Sequence, residues 1–521
     1  MPLVNIDTVG QVGVIKDVPD YVMDPAAWNE ALNVRAVDGR IESIGGRSVV
    51  FPVPSEGPRF LMPVQTGVET YWMWASLRRI FMYDSLEHRD ITRTDGLYTA
   101  RTAQDWNGLV FNGVPILNNG NDVPQYWPGG APTVNMKDLP NWPSNFRAKV
   151  LRSLGGNLVA INITSEGENR PHRVRWSHTA DPGTFPSSWA IDDPEVDAGE
   201  NDLADVSAGP LLDAGNLRGQ MFLYKAGSTW RMRYVGGQYV FSFDSYLETS
   251  GILATRCWGQ IPDGFRHFVV TQDDIMVHDG ASAPTSILEG RLRRHIFASI
   301  DPVSYVTAFV FPNAQYQEMW FCYPEVGNAF PNMALVWNYK TGAATFVQVN
   351  FQAAATGAIA QSNLTKWNEV AGAWSTHSEP WATVENNKTI VANPTSGRFY
   401  QMDSGNLFEG ELIPTVLRRT NLALVGRRRN DAPMVDFHRR KMVTRVYPRI
   451  RGTSIDVRIG AREQQDGSIR WTDIQTFTPA SQRWLDLIIE GGAIAIEFTS
   501  ADNHSWILEG YDLDLDVDGE F

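Results

Sequence analysis

The residues that could do chemistry are numerous, but none has a catalytic spacing. The chain carries 59 Asp and Glu, nine His and two Cys residues. It lacks the glycine-rich phosphate loops Gly-x-x-x-x-Gly-Lys-Ser/Thr and Gly-x-Gly-x-x-Gly, the zinc pair His-Glu-x-x-His and the nucleophile turn Gly-x-Ser-x-Gly. No pair of carboxylates has a spacing that favours glycoside hydrolysis. The sequence therefore predicts no catalytic residue, no cofactor and no metal ion, and a protein that is not an enzyme.

Two short segments match known motifs in part. Residues 514–519, Asp-Leu-Asp-Val-Asp-Gly, match the first six positions of a calcium-binding loop, but the closing Glu is missing. A solvated face of a strand is the preferred interpretation there. Residues 403–405, Asp-Ser-Gly, resemble the Asp-box turn of sialidase propellers, with Gln401 in place of the leading Ser. In such a turn the Asp403 side chain caps the backbone between two strands.

The overall charge limits the partners. With 45 Lys and Arg against 59 Asp and Glu, the formal net charge is −14 at pH 7. Long-range repulsion from duplex DNA then excludes a general nucleic-acid binder. Cys257 and Cys322 are too few for a disulfide scaffold and suit a reducing compartment. We expect no secretory signal, because residues 1–20 lack a basic start followed by an apolar block. We also expect no membrane-spanning helix, because no stretch of 18 apolar residues exists.

One segment departs from this acidic balance. Residues 418–451 hold eleven Lys and Arg but only two acids. Their charge would suit DNA-backbone contact, docking onto the acidic surface of a neighbouring subunit, or simple solvation. Few aromatics interleave with the arginines, so base stacking is disfavoured and subunit docking is preferred. The candidate subunit or DNA contacts are Arg418, Arg419, Arg427, Arg428, Arg429, Arg439, Arg440 and Lys441.

The elements that position these residues are mainly strands. Apolar residues alternate with polar ones in many short runs, such as 230–243, which reads as a hairpin turned at Gly236-Gly237. The 44 Gly and 30 Pro residues interrupt the chain at short intervals. Helical signals are rare. Asp24-Pro25 before an apolar run predicts a short helix, and residues 286–299 have helical spacing.

These hairpins recur from about residue 60 to residue 408 and predict an all-β protein. A propeller of six or seven blades, at roughly 40–50 residues per blade, suits this length better than two or three stacked β domains. After residue 410, regular alternation predicts a β-sandwich. The expected organisation is a short N-terminal arm over 1–55, an irregular β-propeller over 56–410 and a C-terminal β-sandwich over 411–521.

Several segments, in order, resemble the tail nozzle proteins of short-tailed bacteriophages, also described as tail tubular protein B or packaged-DNA stabilisation proteins. The order is shared over more than 300 residues, whereas the part after 410 is similar only loosely. The segments that carry the resemblance are 26–46 (AAWNEALNVRAVDGRIESIGG), 118–127 (NNGNDVPQYW), 172–189 (HRVRWSHTADPGTFPSSW), 250–264 (SGILATRCWGQIPDG), 273–280 (DDIMVHDG), 292–301 (LRRHIFASID) and 334–342 (ALVWNYKTG).

The resemblance implies a structural virion protein at the tip of the tail, made in the cytoplasm of a bacterial host. Six copies would form a ring below the portal and adaptor rings and would carry tail fibres or spikes. Double-stranded DNA would pass through the lumen without sequence-specific binding, and the ring would retain packaged DNA until ejection. The family brings no catalytic residues and no cofactor. A net negative wall agrees with this role, because it lets a duplex slide.

The alternative is a glycan-binding or sialidase-like propeller that acts on host surface polysaccharide. Its basis is the large number of aromatic residues, with 18 Trp, 16 Tyr and 24 Phe, together with the turn at 403–405. Sugar rings stack on exposed aromatics, so this alternative predicts a Trp-lined pocket at the propeller axis. Packing inside the blades is the preferred explanation for these aromatics.

Overall fold

A computed structural model describes residues 3–65, 70–130, 134–204, 209–237, 239–359, 387–427, 433–436, 438–464 and 466–520. In these ranges the protein is built almost wholly from strands, and its α-helix is α1 (Arg293–Ser299). Short 3-10 turns lie at Asp20–Val22, Ala103–Asp105, Tyr305–Thr307 and Ala314–Tyr316. No helix of these ranges is long and apolar enough to span a membrane.

The start of the chain forms seven short strands that join the sheets described below. They are β1 (Leu3–Asp7), β2 (Gly13–Val14), β3 (Ala27–Trp28), β4 (Glu30–Leu32), β5 (Val34–Val37), β6 (Arg40–Ser43) and β7 (Arg47–Val49).

Seven antiparallel meanders, blades I to VII, follow. Blade I holds β8 (Phe60–Gln65), β9 (Thr70–Ala75), β10 (Ile80–Tyr83) and β11 (His88–Asp90). Blade II holds β12 (Asn107–Phe111), β13 (Val114–Asn118), β14 (Gln125–Tyr126) and β15 (Lys137–Asp138). Blade III holds β16 (Phe146–Leu154), β17 (Asn157–Ser165), β18 (Glu168–Trp176) and β19 (Gly199–Asp202). Blade IV holds β20 (Leu211–Leu217), β21 (Gln220–Lys225), β22 (Thr229–Tyr234) and β23 (Phe241–Leu247).

The remaining blades complete the propeller. Blade V holds β24 (Trp258–Gln260), β25 (His267–Val270), β26 (Ile275–His278) and β27 (Thr285–Ser286). Blade VI holds β28 (Phe309–Asn313), β29 (Glu318–Tyr323), β30 (Met333–Asn338) and β31 (Ala344–Gln348). Blade VII holds β32 (Ala353–Gly357), β33 (Lys388–Ala392), β34 (Phe399–Met402) and, from the chain start, β7. Two further strands, β35 (Leu407–Phe408) and β36 (Glu411–Leu412), extend this sheet beyond β7.

The blades close into a ring. The first strand of each blade contacts the first strand of the next, and β32 of blade VII contacts β8 of blade I. The first strands therefore surround the axis, as in a β-propeller, and the expected fold is confirmed. Strand β7, from the chain start, completes blade VII by pairing with β34, and Val49 lies opposite Tyr400. Aromatics fill the joint between blades VII and I, where Trp74 packs edge-on against Phe399 at 5.6 Å between ring centroids.

The C-terminal strands form the predicted sandwich with strands from the chain start. They are β37 (Val416–Leu422), β38 (Leu424–Arg427), β39 (Pro433–Val435), β40 (Arg439–Gly452), β41 (Ile455–Arg462), β42 (Arg470–Trp471), β43 (Gln475–Phe477), β44 (Leu485–Gly491), β45 (Ala493–Thr499) and β46 (Trp506–Glu520). Of these strands, β38 and β39 pair with each other in a separate two-stranded sheet, and the others belong to the two sheets of the sandwich. One sheet runs β44-β40-β46-β6-β5, with β1 on β46. The other runs β4-β37-β45-β41-β42, and β4 also pairs in parallel with β31 of blade VI. The sandwich thus shares a continuous sheet with the propeller.

Hairpins are predicted well by alternation, whereas the two helices are not. The runs 72–84, 230–243, 267–280, 318–342 and 389–405 form the expected hairpins. The helix after Asp24 is wrong, because β3 and β4 occupy that segment. Trp28 is needed in the sandwich core, and Asn33 has a left-handed φ of 56°. Of the predicted helix 286–299, only α1 is helical, because the Ser286 hydroxyl accepts backbone N–H groups in a turn.

Candidate functional site

The described residues place their reactive side chains in structural positions. They contain no group of three or more His, Cys, Asp or Glu that could hold a metal ion. Both thiols are buried, and burial raises the pKa of Cys257 to about 12. A thiol with that pKa is not a nucleophile at neutral pH. Residues 514 and 516 lie on the regular strand β46, where Asp514 pairs with Arg445 of β40.

Two buried histidines and one tyrosine form a neutral network between blades IV and V. The ring N–H of His267 donates to the Asn216 carbonyl at 3.0 Å, so its other nitrogen accepts from the Tyr224 hydroxyl at 2.7 Å. The same hydroxyl then accepts from His278 Nε2 at 2.9 Å. Burial lowers the pKa of His267 to about 4 and that of His278 to about 3. Both rings are therefore uncharged at neutral pH and fasten the two blades together.

The most charged buried site joins the chain start to blades VI and VII. Arg35 of β5 is only 1% exposed. Its Nε lies 3.2 Å from Glu318 Oε1, and its Nη2 lies 2.7 Å from Asp403 Oδ1. The guanidinium also lies 3.6 Å from the ring centroid of Tyr316. One cation thus bridges two carboxylates that come from different blades. We call Arg35, Glu318 and Asp403 the buried triad.

Further hydrogen bonds complete the triad. Trp320 Nε1 donates to Glu318 Oε2 at 2.9 Å, and Asn313 Nδ2 donates to Asp403 Oδ2 at 2.9 Å. Two of the four carboxylate oxygens therefore accept hydrogen bonds, and the other two lie at ion-pair distance from Arg35. A buried ion pair needs such additional partners. The ion pairs of the triad thus link the sandwich strand β5 to the propeller. They add to the link that the shared sheet already provides.

The turn at 403–405 is present, but the expected role of Asp403 is wrong. Its backbone is left-handed, with a φ of 55°, and the turn is fixed by the backbone pair in which Gly46 N donates to Gly405 O at 2.7 Å. The carboxylate points to Arg35 and Asn313 instead of capping the turn. A buried arginine nearby offers a stronger partner than a backbone N–H.

Glu318 predicts a pH dependence of stability. Burial, aided by the Asp403 charge and opposed by Arg35, raises its pKa to about 7, against 4.5 for an ordinary Glu. The folded state holds this proton more tightly than the unfolded state. Its contribution to stability is therefore complete below about pH 4.5 and is lost as pH rises through 7. Glu318→Gln, which cannot ionise, should become progressively more stable relative to wild type between pH 5 and pH 8.

Urea unfolding at several pH values measures this difference. Other groups titrate in both proteins, so only the free energy of unfolding of the variant minus that of wild type is informative. A difference that stays constant from pH 5 to pH 8 would contradict the assignment of a raised pKa to Glu318.

Two of the predicted contacts, Arg418 and Arg419, bind groups of their own chain. On β37, Arg418 Nη1 lies 2.9 Å from Glu30 Oε2, and its Nε lies 2.5 Å from Glu497 Oε2. Arg419 is 2% exposed, and its guanidinium donates to the backbone carbonyls of Asp20 and Met23. These two side chains fix the sandwich to the chain start.

The predicted contacts that lie on β40 also bind groups of their own chain. Arg440 pairs with Glu463 at 2.8 Å and with Glu490 at 3.2 Å. The Lys441 ammonium is buried and donates to the carbonyls of Arg439 and Gly492, and burial lowers its pKa to about 8. Arg439 is the more exposed member and lies 3.4 Å from Asp436.

Three further predicted contacts are consecutive arginines. Arg427 ends β38, and Arg428 and Arg429 lie outside the described residues. The docking role of the eight predicted residues stays a prediction.

The sequence analysis did not identify the buried triad or one surface cleft. The cleft has a volume of about 780 Å³ and lies at the outer strands of blades III and IV. Aromatic and aliphatic side chains form much of its lining, including Trp176, Tyr239 and Phe243. Exposed carboxylates of the loop before β19 stand along it, namely Asp192, Asp193 and Asp197. We call it the acidic–aromatic cleft.

Comparisons with known proteins give no family. No family model and no curated protein matches the chain. Among solved structures, Hsv2 of Kluyveromyces lactis is 12% identical with a TM-score of 0.33, over 60% of this chain and 91% of that one. The AfRom2 CNH domain is 10% identical with a TM-score of 0.38, over 68% and 98%. PorZ, a bacterial surface component of the type-IX secretion system of Porphyromonas gingivalis, is 8% identical with a TM-score of 0.35, over 72% and 43%. At such scores the propeller fold rests on this chain's own strand order and ring contacts.

Proposed function

We propose that this protein is a structural subunit of the tail nozzle of a short-tailed bacteriophage. Six copies form a ring at the tip of the virion tail, below the portal and adaptor rings, and tail fibres or spikes attach to the assembly. The ring retains packaged double-stranded DNA and conducts it during ejection. It performs no catalysis and needs no cofactor.

The ordered segments that resemble this family carry the proposal. Their positions in the fold are informative, because several of them lie at joints between units. Residues 26–46 contribute strands to both sheets of the sandwich and supply Arg35 of the buried triad. Residues 250–264 connect blades IV and V, and residues 292–301 contain α1 between blades V and VI. The resemblance thus falls on residues that hold the body together.

The construction of the body suits a stiff wall. The first strands close a ring, and the sheet of blade VI continues into the sandwich through β31 and β4. A closed ring leaves few free strand edges for unwanted pairing. The net charge of −14 disfavours adhesion of a duplex that slides past. The described residues use their arginines largely to bind their own carboxylates, as at Arg418 and Arg440.

The mass of the assembly in solution tests the proposal. We expect the purified protein, alone or with its adaptor, to form a species of six times the 58.2-kDa chain. Mass photometry or sedimentation over a range of salt concentrations measures it. A chain that stays monomeric even with its tail partners would contradict the proposal.

The second candidate is the glycan-binding or sialidase-like propeller. The acidic–aromatic cleft is the observation in its favour, because aromatic rings and carboxylates together bind sugars. The cleft lies at the outer strands of two blades, however, and not at the axis where that alternative expects its pocket. Glycan-array binding, or release of sugar from host polysaccharide, would favour the second candidate over the first.

A further inference from the structure

We propose that Tyr224, His267 and His278 form an acid-sensitive joint, which opens the contact between blades IV and V when its histidines gain protons. The inference goes beyond the proposed function and does not depend on it, because it concerns the stability of the propeller itself. The structure shows the closed joint, in which both histidines are neutral and bonded through one tyrosine hydroxyl.

The joint is enclosed by aromatic side chains. Tyr224 of β21 and His267 of β25 are fully buried, and His278 of β26 is 3% exposed. Phe222 packs against the His278 ring with 4.9 Å between ring centroids, and Trp258 packs against the His267 ring at the same distance. Water therefore has little access to either imidazole, and a positive charge on one of them would lack hydration.

Both ring nitrogens of His267 are in use. Nε2 donates to the Asn216 carbonyl of blade IV, and Nδ1 accepts from the Tyr224 hydroxyl. A proton added to Nδ1 would make it a second donor to that hydroxyl, which already accepts from His278. The Tyr224 hydrogen would then need a new acceptor. It could be given only to His278 Nε2, whose own proton would have to move to Nδ1 of the same ring.

His278 has no acceptor for a proton on Nδ1. This atom is enclosed and has no hydrogen-bond partner in the described part of the chain. A proton there, from solvent or from reversal of the Tyr224 bond, leaves a buried N–H unpaired. The His267 and His278 rings are also only 5.3 Å apart between centroids, so a charge on one disfavours a charge on the other.

The charged groups around the joint are occupied elsewhere. Asp279, which follows His278, accepts the backbone N–H groups of Ala281 and Ser282. Asp213 of β20 lies 2.6 Å from Arg152 of blade III. No ion pair joins His267 or His278 to a carboxylate among the described residues. The other titratable or charged side chains near the joint are Tyr246, Arg218 and Arg231.

Acid therefore weakens this joint. Burial holds the pKa of both histidines well below the ordinary value of 6.5, so the opened joint binds protons that the closed joint does not. The stability of the closed joint is complete above about pH 6.5 and is lost as pH falls from there towards about pH 4. Glu318 of the buried triad changes in the opposite direction, because burial raises its pKa. The loss is thus expected at blades IV and V, and not through Glu318 at the triad.

Hydrogen exchange of the full-length protein, followed by mass spectrometry at pH 7 and pH 5, tests the inference. After correction for the intrinsic pH dependence of exchange, the amides of β21 and β25 should lose about 100-fold of their protection at pH 5, because two protons are taken up on opening. The amides of β17 in blade III and β29 in blade VI should lose less than about threefold. Equal losses in all blades, or no loss at β21 and β25, would overturn the inference.

Two substitutions that carry no titratable group separate the histidines from other effects of acid. In His278→Gln the side-chain amide can donate to Tyr224 as Nε2 does, and in His267→Asn the amide oxygen can accept as Nδ1 does. The loss of protection should fall to about tenfold in His278→Gln and below about threefold when both are changed. His504→Gln, at a histidine that is 63% exposed, is the control and should behave as wild type does. A loss that persists unchanged in the double variant would contradict the inference.

Exchange of the histidine ring hydrogen on Cε1 in the wild-type protein provides a second measurement that requires no variant. Its rate reports the protonation of each ring. We expect His267 and His278 to exchange slowly and to stay neutral at pH 5 as long as the joint is closed, whereas His504 titrates like an exposed histidine. A charged His267 or His278 at pH 6 with amide protection intact would overturn the inference. None of these results depends on ring assembly, so the inference and the nozzle proposal can fail separately.

Discussion

Replacing Arg35 by methionine is expected to lower the free energy of unfolding by about 3–5 kcal/mol. The substitution removes the only cation that lies between Glu318 and Asp403 in the described structure and leaves two carboxylates buried close to each other. In the wild-type protein, this cation and the hydrogen bonds from Trp320 and Asn313 offset the free-energy cost of burying the two carboxylates. Removing only the cation therefore lowers the free energy of unfolding far more than replacing all the charged partners by neutral side chains would. Urea unfolding followed by circular dichroism measures the loss.

A matched control is available on the next strand. Arg40 of β6 lies 3.8 Å from Glu509, and both side chains are more than one-third exposed. Arg40→Met should cost less than about 1 kcal/mol, because an exposed pair is screened by water. Adding Glu318→Gln to Arg35→Met should recover part of the stability, because one orphaned carboxylate is removed. Equal losses for Arg35→Met and Arg40→Met would contradict the role assigned to the buried triad.

The second large effect is expected for Trp28→Ala, again about 3–5 kcal/mol. Trp28 is 1% exposed, and its ring centroid lies 6.3 Å from that of Phe498 and 6.2 Å from that of Tyr511. Its indole N–H donates to the Val9 carbonyl at 2.7 Å. Alanine would leave a large cavity between the start and the end of the chain, together with an unpaired carbonyl. Calorimetry or urea unfolding measures the change.

Two companion substitutions sharpen this result. Trp28→Phe keeps most of the ring but loses the hydrogen bond, so we expect an intermediate loss. Trp484→Ala removes a tryptophan of the same sandwich that is 41% exposed, and it should cost roughly 1 kcal/mol or less. If Trp28→Ala cost no more than Trp484→Ala, the chain start would not be an integral part of the sandwich core.

Alternation predicted the hairpins because each blade buries one face against its neighbour. In residues 230–234, for example, Met232 is fully buried and Arg233 is exposed, as the alternation predicts, whereas Tyr234, on the predicted apolar face, is 68% exposed. The fourth strand of blade VII could not be predicted in the same way. It consists of residues 47–49, a short and largely polar run that pairs with residues 400–402, which lie about 350 positions later. Nothing local in either segment specifies that partner.

The failed helix after Asp24 has the same origin. Its local signals, an Asp cap followed by Pro, are genuine, and Asp24 does accept the Ala26 N–H at 2.8 Å. Trp28 and Ala31, both 1% exposed, are buried by the tertiary fold, which places their segment in β3 and β4 of the sheet that the sandwich shares with blade VI. The free energy gained by burying these large apolar side chains outweighs the helix propensity of the segment, which is roughly a few tenths of a kcal/mol per residue.

The charged groups show what sequence can and cannot reveal. Arg35 lies between Val34 and Ala36, and Glu318 begins the apolar strand β29, yet neither charge was predicted as part of a site. Their mutual pairing depends on the ring that brings β5 to β29, and the sequence does not specify it. Likewise, the excess charge of 418–451 was visible, but the acids that bind it, such as Glu497 and Asp486, come from strands that fold back later in the chain.

Electron cryo-microscopy of the assembled protein tests the central claim most directly. The account predicts a closed ring of six propellers around a continuous passage wide enough for a DNA duplex. An assembly with no open passage for a duplex, or a protein that remains a single propeller when its tail partners are present, would contradict it.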